Sequence, residues 1–305
     1  MKYTYLLFGY ALFALFGSTG CLHFHQGPFD DEPADATFRH VEETRVRYID
    51  RGEGPTVVLL HGFAASLNTW DPLLPYLEEH FRVIALDLRG FGFTDRPEKG
   101  DYSPAGQANL VLALLEELQV DTFHIVAHSW GSSVALQMAL DHPARIQRLA
   151  IFDGWVYEEQ LPTFFLWSRA NGVGELLFRL FYKERPGDKI SLAFYDQSHV
   201  TQELVDETKA ALDRPGTLAA ALEAVRGQRY EEIEARYSTI EQEVLLIWGR
   251  EDGVTRLSAG ERLLRELPNA RLVVLPGVGH FPMIEATGPS KNALLPFLKG
   301  WEGER

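Results

Sequence analysis

The chain has 305 residues, of which 46% are hydrophobic and 24% are charged, and its formal net charge at pH 7 is −14. This composition is typical of a folded globular protein and excludes an intrinsically disordered chain. Because an acidic surface repels phosphate backbones, the charge also argues against a nucleic-acid partner.

The N-terminal residues have the layout of a secretory signal. Lys2 is followed by an apolar run from Tyr3 to Phe16 and then by the small residues 17–20. A charged start, a short apolar core and small residues before a cleavage site together predict a signal peptide over residues 1–20. Cys21 follows directly and is the only cysteine, so it cannot form an internal disulfide.

This arrangement resembles a bacterial lipoprotein signal, which implies a lipidated Cys21 and a protein anchored in the cell envelope. The apolar run is shorter than the ~20 residues that a spanning helix needs. An uncleaved membrane anchor and an ordinary cleaved signal of a secreted protein remain alternatives. Residues 21–38 carry Gly, Pro and several acids and are predicted to form a tether.

The rest of the chain alternates between strand and helix signals. TRVRYID predicts a first strand, and apolar runs of buried-strand length follow in TVVLLHG, FRVIALDLRG, FHIVAHS, RLAIFDG, EVLLIWG and ARLVVLPG. One helix is predicted to begin at Ser103 and Pro104, an N-cap followed by Pro at the first helical position, and another just after Ser129. This alternation predicts an α/β fold with a mainly parallel sheet covered by helices on both faces.

Polar residues gather where the predicted strands end. Because the carboxyl ends of parallel strands share one edge of a sheet, these side chains are expected to lie together and to form a site. They are His61, Asp87, Ser129, Asp153, Asp252 and His280.

Five segments resemble those of the α/β-hydrolase family. AHSWG, residues 127–131, resembles the nucleophile elbow, with Ala127 in place of the usual first glycine. LLHGF resembles the oxyanion-hole loop, DLRGFGFTDRP the segment after the next strand, and WGREDGV and GVGHFP the acid and histidine loops. The resemblance extends from Arg39 to Leu298 and implies a hydrolase core formed by residues 39–153 and 243–305.

The resemblance assigns catalytic roles to three of these polar residues. Ser129 would be the nucleophile, His280 its base and Asp252 the acid that orients the histidine, in the chain order that this fold requires. Asp153 is the alternative acid, since some relatives carry the acid at that earlier strand end. The alternatives for Ser129 and His280 are a helix N-cap and a loop histidine, and the complete set favours catalysis.

Further residues are assigned in the same way. The backbone N–H groups of Phe63 and Trp130 would form the oxyanion hole. His61 is expected to brace its loop, and His128 to pack beside the elbow. No histidine–carboxylate cluster has metal-ligand spacing, and RGFGF lacks the Lys-Ser/Thr of a phosphate loop, so neither a metal nor a cofactor is predicted.

Residues 154–242 differ in character from the segments around them. They combine an aromatic-rich stretch with charged amphipathic helices, which predicts a helical cap over the site. Aromatic residues of the cap and of the histidine loop are predicted to line an apolar substrate pocket, or alternatively to pack the cap against the core. They are Trp155, Phe164, Phe165, Trp167 and Phe281.

The identity of the nucleophile narrows the chemistry. HSWGS is similar to the HDWGS elbow of haloalkane dehalogenases and to the related elbow of epoxide hydrolases, which attack with a carboxylate. A serine suits attack on a carbonyl, because an ether formed by displacing a halide could not be hydrolysed afterwards. The sequence therefore predicts an esterase or lipase acting on a small-molecule ester. The alternatives are a carbon–carbon bond hydrolase of the same fold, acting on dienol-ketone ring-cleavage products, and a non-catalytic surface lipoprotein.

Overall fold

The computed structural model describes residues 22–300, so the predicted signal segment 1–20, Cys21 and residues 301–305 lie outside the described residues. The described residues contain one eight-stranded sheet in the order β1-β2-β4-β3-β5-β6-β7-β8. Its strands are β1 (Thr37–Val41), β2 (Thr44–Arg51), β3 (Thr56–Leu60), β4 (Arg82–Leu86), β5 (Phe123–His128), β6 (Ile146–Phe152), β7 (Glu243–Gly249) and β8 (Ala270–Leu275). β2 pairs antiparallel with both β1 and β4, and every other pairing is parallel.

The apolar strand runs are explained by burial on both faces of the sheet. Val58 and Leu60 of β3 pack into one apolar layer, while Val57 and Leu59 pack into the other. Because successive side chains of a strand point to opposite faces, a strand covered on both sides has to be apolar throughout. The α/β fold and the mainly parallel sheet predicted from these runs are confirmed.

Helices between the strands supply the two covering layers. The core helices are α1 (Leu74–Glu78), α2 (Pro104–Glu117), α3 (Gly131–Asp141), α10 (Leu257–Glu266), α11 (Pro282–Glu285) and α12 (Thr287–Leu298). The predicted start of α2 is confirmed, since the Ser103 hydroxyl accepts a hydrogen bond from the backbone N–H of Gly106 at 3.1 Å. Short 3₁₀ turns cover Leu67–Trp70, Pro143–Arg145, Glu158–Gln160, Gln197–His199 and Tyr237–Thr239.

A group of helices between β6 and β7 forms the cap. They are α4 (Thr163–Ser168), α5 (Val173–Leu177), a π-helical turn (Phe178–Tyr182), α6 (Pro186–Ala193), α7 (Gln202–Asp213), α8 (Thr217–Gly227) and α9 (Glu231–Glu234). The cap meets the core through aromatic rings, with Phe165 and Tyr182 at 5.3 and 6.4 Å from the ring of Phe63. Within residues 22–300, no helix combines the length and the apolar composition needed to cross a bilayer.

The segment 22–36 differs from the tether predicted for residues 21–38, because it packs against the domain. His25 pairs with Arg96 through two backbone hydrogen bonds of 2.7 and 3.0 Å. The ring of Phe29 is only 6% exposed and lies 4.6 Å from the guanidinium carbon of Arg96. Glu32 accepts two hydrogen bonds from the guanidinium of Arg45. Composition suggests a linker here, but Asp31 and Glu32 have arginine partners and the Phe29 side chain is buried.

We expect Phe29→Ala to lower the free energy of unfolding by about 3 kcal/mol, because it removes a buried ring and leaves a cavity under Arg96. The matched control is Leu192→Ala, whose side chain is 74% exposed, with an expected change below about 0.5 kcal/mol. Urea denaturation of both variants measures the difference. Equal stability of Phe29→Ala and the unsubstituted protein would show that the segment 22–36 is not part of the folded domain.

Candidate active site

Ser129 occupies a tight turn between β5 and α3. Its φ is 51°, a left-handed conformation that is strained for a residue with a side chain. The turn is held on both sides, since the Ser129 N–H donates to the Phe152 carbonyl at 2.9 Å and the Ser129 carbonyl accepts from Trp155 at 3.0 Å. A Cβ added to Gly131 would lie 2.7 Å from the carbonyl oxygen of Leu60 and closer still to that of His61. The elbow therefore requires glycine at position 131.

The strand register brings the other polar residues to this turn. His128, Phe152 and Ile247 are aligned across β5, β6 and β7. The residues that follow these strand ends therefore meet at one edge of the sheet, as the sequence predicted for parallel strands.

Ser129, His280 and Asp252 form a hydrogen-bonded chain, and all three are buried. The Ser129 Oγ lies 3.0 Å from His280 Nε2, and His280 Nδ1 lies 2.8 Å from Asp252 Oδ2. With the ring proton on Nδ1, His280 donates to the carboxylate and Nε2 is free to accept the serine proton. This is the geometry in which a histidine can act as a base toward a serine.

The two candidate acids, Asp252 and Asp153, are in opposite electrostatic states. Burial by itself raises the pKa of Asp252, but the charge of His280 and hydrogen bonds from His280 and Thr255 hold that pKa well below its usual value. The pKa of Asp153 is raised well above its usual value by complete burial and by the neighbouring Asp252. Asp252 is therefore ionised and Asp153 neutral near pH 7, and the structure places Asp252 rather than Asp153 against the histidine.

Thr255, which the sequence analysis did not single out, supports this arrangement. Its hydroxyl lies 2.7 Å from Asp252 Oδ2, and its N–H donates to Asp252 Oδ1 at 3.0 Å. Asp153 accepts from the Gly249 N–H at 2.9 Å through Oδ1, while its Oδ2 has no hydrogen-bond partner among the described residues.

Within the described residues, one group of side chains is close enough to hold a metal ion. It consists of Asp153, Asp252 and His280, whose possible ligand atoms lie within 4.8 Å of one another. Their sequence spacing did not show this proximity. A cation bound there would have to displace the Nδ1 proton that Asp252 accepts, so the hydrogen-bonded state of the three residues and metal binding are mutually exclusive.

The loops that follow β3 and β5 meet at the serine, since a Cβ added to Gly62 would lie 2.9 Å from the Ser129 Cβ. These loops carry the backbone N–H groups of Phe63 and Trp130. Neither donates to an acceptor within residues 22–300. Asp87 fixes the first loop, because its carboxylate accepts from the N–H groups of Leu67 at 2.7 Å and Phe93 at 2.8 Å. The sequence placed Asp87 at a strand end but gave it no role.

Two buried histidines flank the site without contacting the serine hydroxyl. His61 Nε2 accepts from the Leu88 N–H at 2.9 Å, and Nδ1 lies 2.7 Å from the Gly62 carbonyl. The ring thus braces its loop. His128 Nε2 lies 2.7 Å from the His280 carbonyl. Burial lowers the pKa of both rings, so both are neutral.

Comparison with known proteins agrees with this architecture. A sequence model of the alpha/beta hydrolase fold matches residues 55–287. An uncharacterized protein of Mycobacterium tuberculosis is 31% identical over 266 residues, which cover 83% of this chain and 78% of that protein. The chain belongs to the α/β-hydrolase family.

Two further similarities concern relatives with named activities. A 2-hydroxy-6-oxo-6-phenylhexa-2,4-dienoate hydrolase of Comamonas testosteroni is 27% identical over 270 residues, which cover 83% of this chain and 91% of that protein. Among solved structures, that of Est816, described as an N-acyl homoserine lactone degrading enzyme, has a TM-score of 0.73 at 26% identity, over 87% of this chain and 100% of that chain.

The cap packs on the core beside Ser129, and aromatic rings form the contact, since the ring of Phe63 lies 5.3 Å from Phe165 and 6.0 Å from Trp130. Trp155 is buried and its ring is stacked on Phe165 at 5.8 Å. Phe164 lies 5.5 Å from Phe178 within the cap. Phe281 stacks on Phe194 at 4.9 Å and lies beside His128. Phe91 and Tyr182 complete the cluster around Phe63, and the sequence analysis missed both.

Trp167 does not line this pocket, contrary to its predicted position. Its side chain is 63% exposed. Helical periodicity gives the reason, since Phe164, Phe165 and Ser168 of α4 turn inward while Leu166 and Trp167 fall on the opposite face.

The cap also holds His280 in place. The His280 N–H donates to the Ala193 carbonyl at 2.7 Å. The Glu285 carboxylate accepts from the N–H groups of Gly279 at 2.9 Å and Tyr195 at 2.8 Å. Nothing in the sequence indicated this role for Glu285, because its partners are backbone N–H groups. One of them, that of Tyr195, also lies far away in the sequence.

The opposite charge states of the two acids predict different effects of the same substitution. Asp252→Asn should slow the labelling of Ser129 by a fluorophosphonate by about four orders of magnitude, since an amide favours the wrong histidine tautomer and cannot stabilise the imidazolium. Asp153→Asn should change the rate by less than about tenfold, because a neutral carboxyl and an amide carry the same charge. Labelling kinetics followed by mass spectrometry measure both. A slow Asp153→Asn variant beside a normal Asp252→Asn variant would transfer the acid role to Asp153.

Proposed function

We propose that the protein is a serine hydrolase that cleaves carboxylic esters of apolar substrates through an acyl-enzyme. The single observation that carries this proposal is the chain from Ser129 Oγ through His280 to Asp252, with separations of 3.0 and 2.8 Å. The structural similarity to a lactone-degrading enzyme supports an ester substrate, since a lactone is a cyclic ester.

In the proposed mechanism, Ser129 Oγ attacks the ester carbonyl carbon while its proton passes to His280 Nε2. The resulting imidazolium is stabilised by the ionised Asp252. The backbone N–H groups of Phe63 and Trp130 stabilise the negative charge on the former carbonyl oxygen. His280 then returns the proton to the departing alcohol, and the acyl group remains on Ser129.

The second half repeats these steps with water as the nucleophile. His280 takes a proton from water, the hydroxide attacks the acyl carbon, and His280 protonates Ser129 as the acid leaves. The aromatic cluster of Phe63, Phe165 and Tyr182 gives the site an apolar wall, which supports an apolar acyl or alcohol group.

A carbon–carbon bond hydrolase is the second candidate, and the 27% identity to the Comamonas testosteroni dienoate hydrolase favours it. His128 argues for the ester, because these relatives often carry asparagine before the nucleophile. The third candidate, a non-catalytic surface lipoprotein, is disfavoured by the intact hydrogen-bonded chain at Ser129.

Ser129→Ala should reduce the turnover of p-nitrophenyl esters of graded chain length by several orders of magnitude, because no other group replaces the nucleophile. Ser132→Ala is the matched control. Its buried hydroxyl has no hydrogen-bond partner in the described chain, so near-normal turnover is expected. Turnover of a dienol-ketone in the absence of ester turnover would favour the carbon–carbon hydrolase, and turnover of neither would favour the non-catalytic lipoprotein.

We further propose that Cys21 is lipidated after removal of residues 1–20 and anchors the protein in the bacterial cell envelope. Mass spectrometry of the full chain expressed in a bacterium should find an acylated Cys21 as the first residue, and Cys21→Ser should abolish this processing. An unmodified Cys21 or an intact Met1 would contradict the proposal without affecting the proposed catalysis.

A further inference from the structure

The exposed large apolar side chains of the described protein are concentrated in the cap. Eight of nine lie within residues 166–195, and only Tyr76 lies elsewhere. We call these eight the outer cap face: Leu166, Trp167, Val173, Leu176, Leu180, Phe181, Leu192 and Tyr195. Single exposed apolar residues are ordinary on a protein surface, whereas eight within one segment of the cap indicate a candidate interaction surface.

The cap segments that carry this face are apolar on both sides. In α4, Phe165 packs inward on Phe63 while Trp167 faces out. In the π-helical turn, Phe178 and Tyr182 are buried whereas Leu180 and Phe181 are about half exposed. A helical segment with an apolar stripe on both sides is usually covered on both sides. The described structure covers only the inner side.

The charge of this region differs from that of the whole chain. Residues 163–195 contain five Lys or Arg and three Asp or Glu, although the chain as a whole has a net charge of −14. Arg179 is exposed directly beside Leu180 and Phe181. The neighbouring basic residues have acidic partners, since Lys183 pairs with Asp213 at 3.0 Å and Arg185 lies 4.0 Å from Asp188. Basic residues among exposed Trp, Phe and Leu are typical of surfaces that lie in the interface of an anionic bilayer.

The N-terminal segment enters the domain next to the cap. Arg214, which follows α7, forms a 2.8 Å ion pair with Asp31. A Cβ added to Gly216 would lie 2.9 Å from the backbone nitrogen of His25. Residues 22–36 pack on the domain and Cys21 directly precedes them, so a lipid on Cys21 would be attached without a long spacer. The N-terminal anchor proposed above would therefore hold this side of the molecule near the membrane.

We propose that the outer cap face docks on the surface of an anionic phospholipid bilayer, with its aromatic and aliphatic side chains at the level of the headgroups and Arg179 facing the lipid phosphates. The charge and the two-sided apolar character of the cap support this independently of the anchor. The proposal goes beyond the proposed hydrolase activity, because it concerns where the protein sits and not what it cleaves.

Trp167 provides a direct reporter of this docking. Of the five tryptophans among the described residues, Trp167 is exposed and the others are buried, namely Trp70, Trp130, Trp155 and Trp248. The full chain is incorporated into phosphatidylglycerol/phosphatidylcholine vesicles that carry lipids brominated near the headgroup end of the acyl chain. Subtracting the emission of Trp167→Phe isolates the emission of Trp167. We expect most of that emission to be quenched in anionic vesicles, and markedly less in pure phosphatidylcholine or at high salt.

Matched variants test which side chains make the contact. The pair Leu180→Ser with Phe181→Ser should relieve the quenching of Trp167, and Arg179→Glu should weaken it in anionic vesicles only. Tyr76→Ser is the control, since that side chain is 39% exposed on another surface, and it should change nothing. Ester turnover of each variant in detergent checks that the domain remains folded.

Three results would overturn the proposal. The first is Trp167 emission that brominated anionic lipid does not quench. The second is shielding of Trp167 from solvent without lipid that increases with protein concentration. It would make the outer cap face an interface between two copies of the chain. The third is shielding of Trp167 without lipid at every protein concentration. It would indicate that residues 1–21 of the same chain cover the outer cap face. None of these results bears on the nucleophile, so failure of docking and failure of the hydrolase mechanism are distinguishable.

Discussion

The close approach of the Ser129 turn to the end of β3 is the constraint on which the rest of the site depends. Gly131 lies so near the carbonyls of Leu60 and His61 that no side chain fits between them. This contact fixes the loop that carries the Phe63 N–H relative to the serine. It also leaves Ser129 in a left-handed conformation, whose cost of about 1–3 kcal/mol is tolerated because neighbouring strands hold the turn through backbone hydrogen bonds.

Burial then sets the charges around that turn. Four titratable side chains stand close to Ser129 and His280, and three of them, His61, His128 and Asp153, are kept neutral by burial. Asp252 stays ionised because His280 and Thr255 supply the hydrogen bonds that its carboxylate loses on leaving water. A single negative charge therefore faces the histidine, and the transfer of the serine proton creates an ion pair instead of an isolated buried charge.

Local pattern predicted much of this architecture from sequence. The buried strand runs, the start of α2 at Ser103 and the polar residues at the strand ends all follow from short-range rules that the structure obeys. The orientation of Trp167 did not follow, because a six-residue helix has too few turns for its inward face to be read from sequence. The packing of Phe29 and Glu32 was not predicted either. Their partners, Arg96 and Arg45, lie elsewhere in the sequence at spacings that no helix or strand pattern indicates. Asp87 and Glu285 act on backbone N–H groups, which leave no mark in the sequence. Thr255 acts on the Asp252 carboxylate from within a loop that has no periodic pattern.

The proposed acyl-enzyme can form only if the Ser129 elbow, His280 and the two loop N–H groups act together. Its most direct test is rapid acid quenching during turnover of a slowly deacylating p-nitrophenyl ester, followed by proteolysis and mass spectrometry. The account predicts that the peptide containing Ser129 carries the mass of the acyl group, in an amount matching the initial burst of nitrophenol. Acylation of a different residue, or steady ester turnover with a burst and an unmodified Ser129, would contradict it.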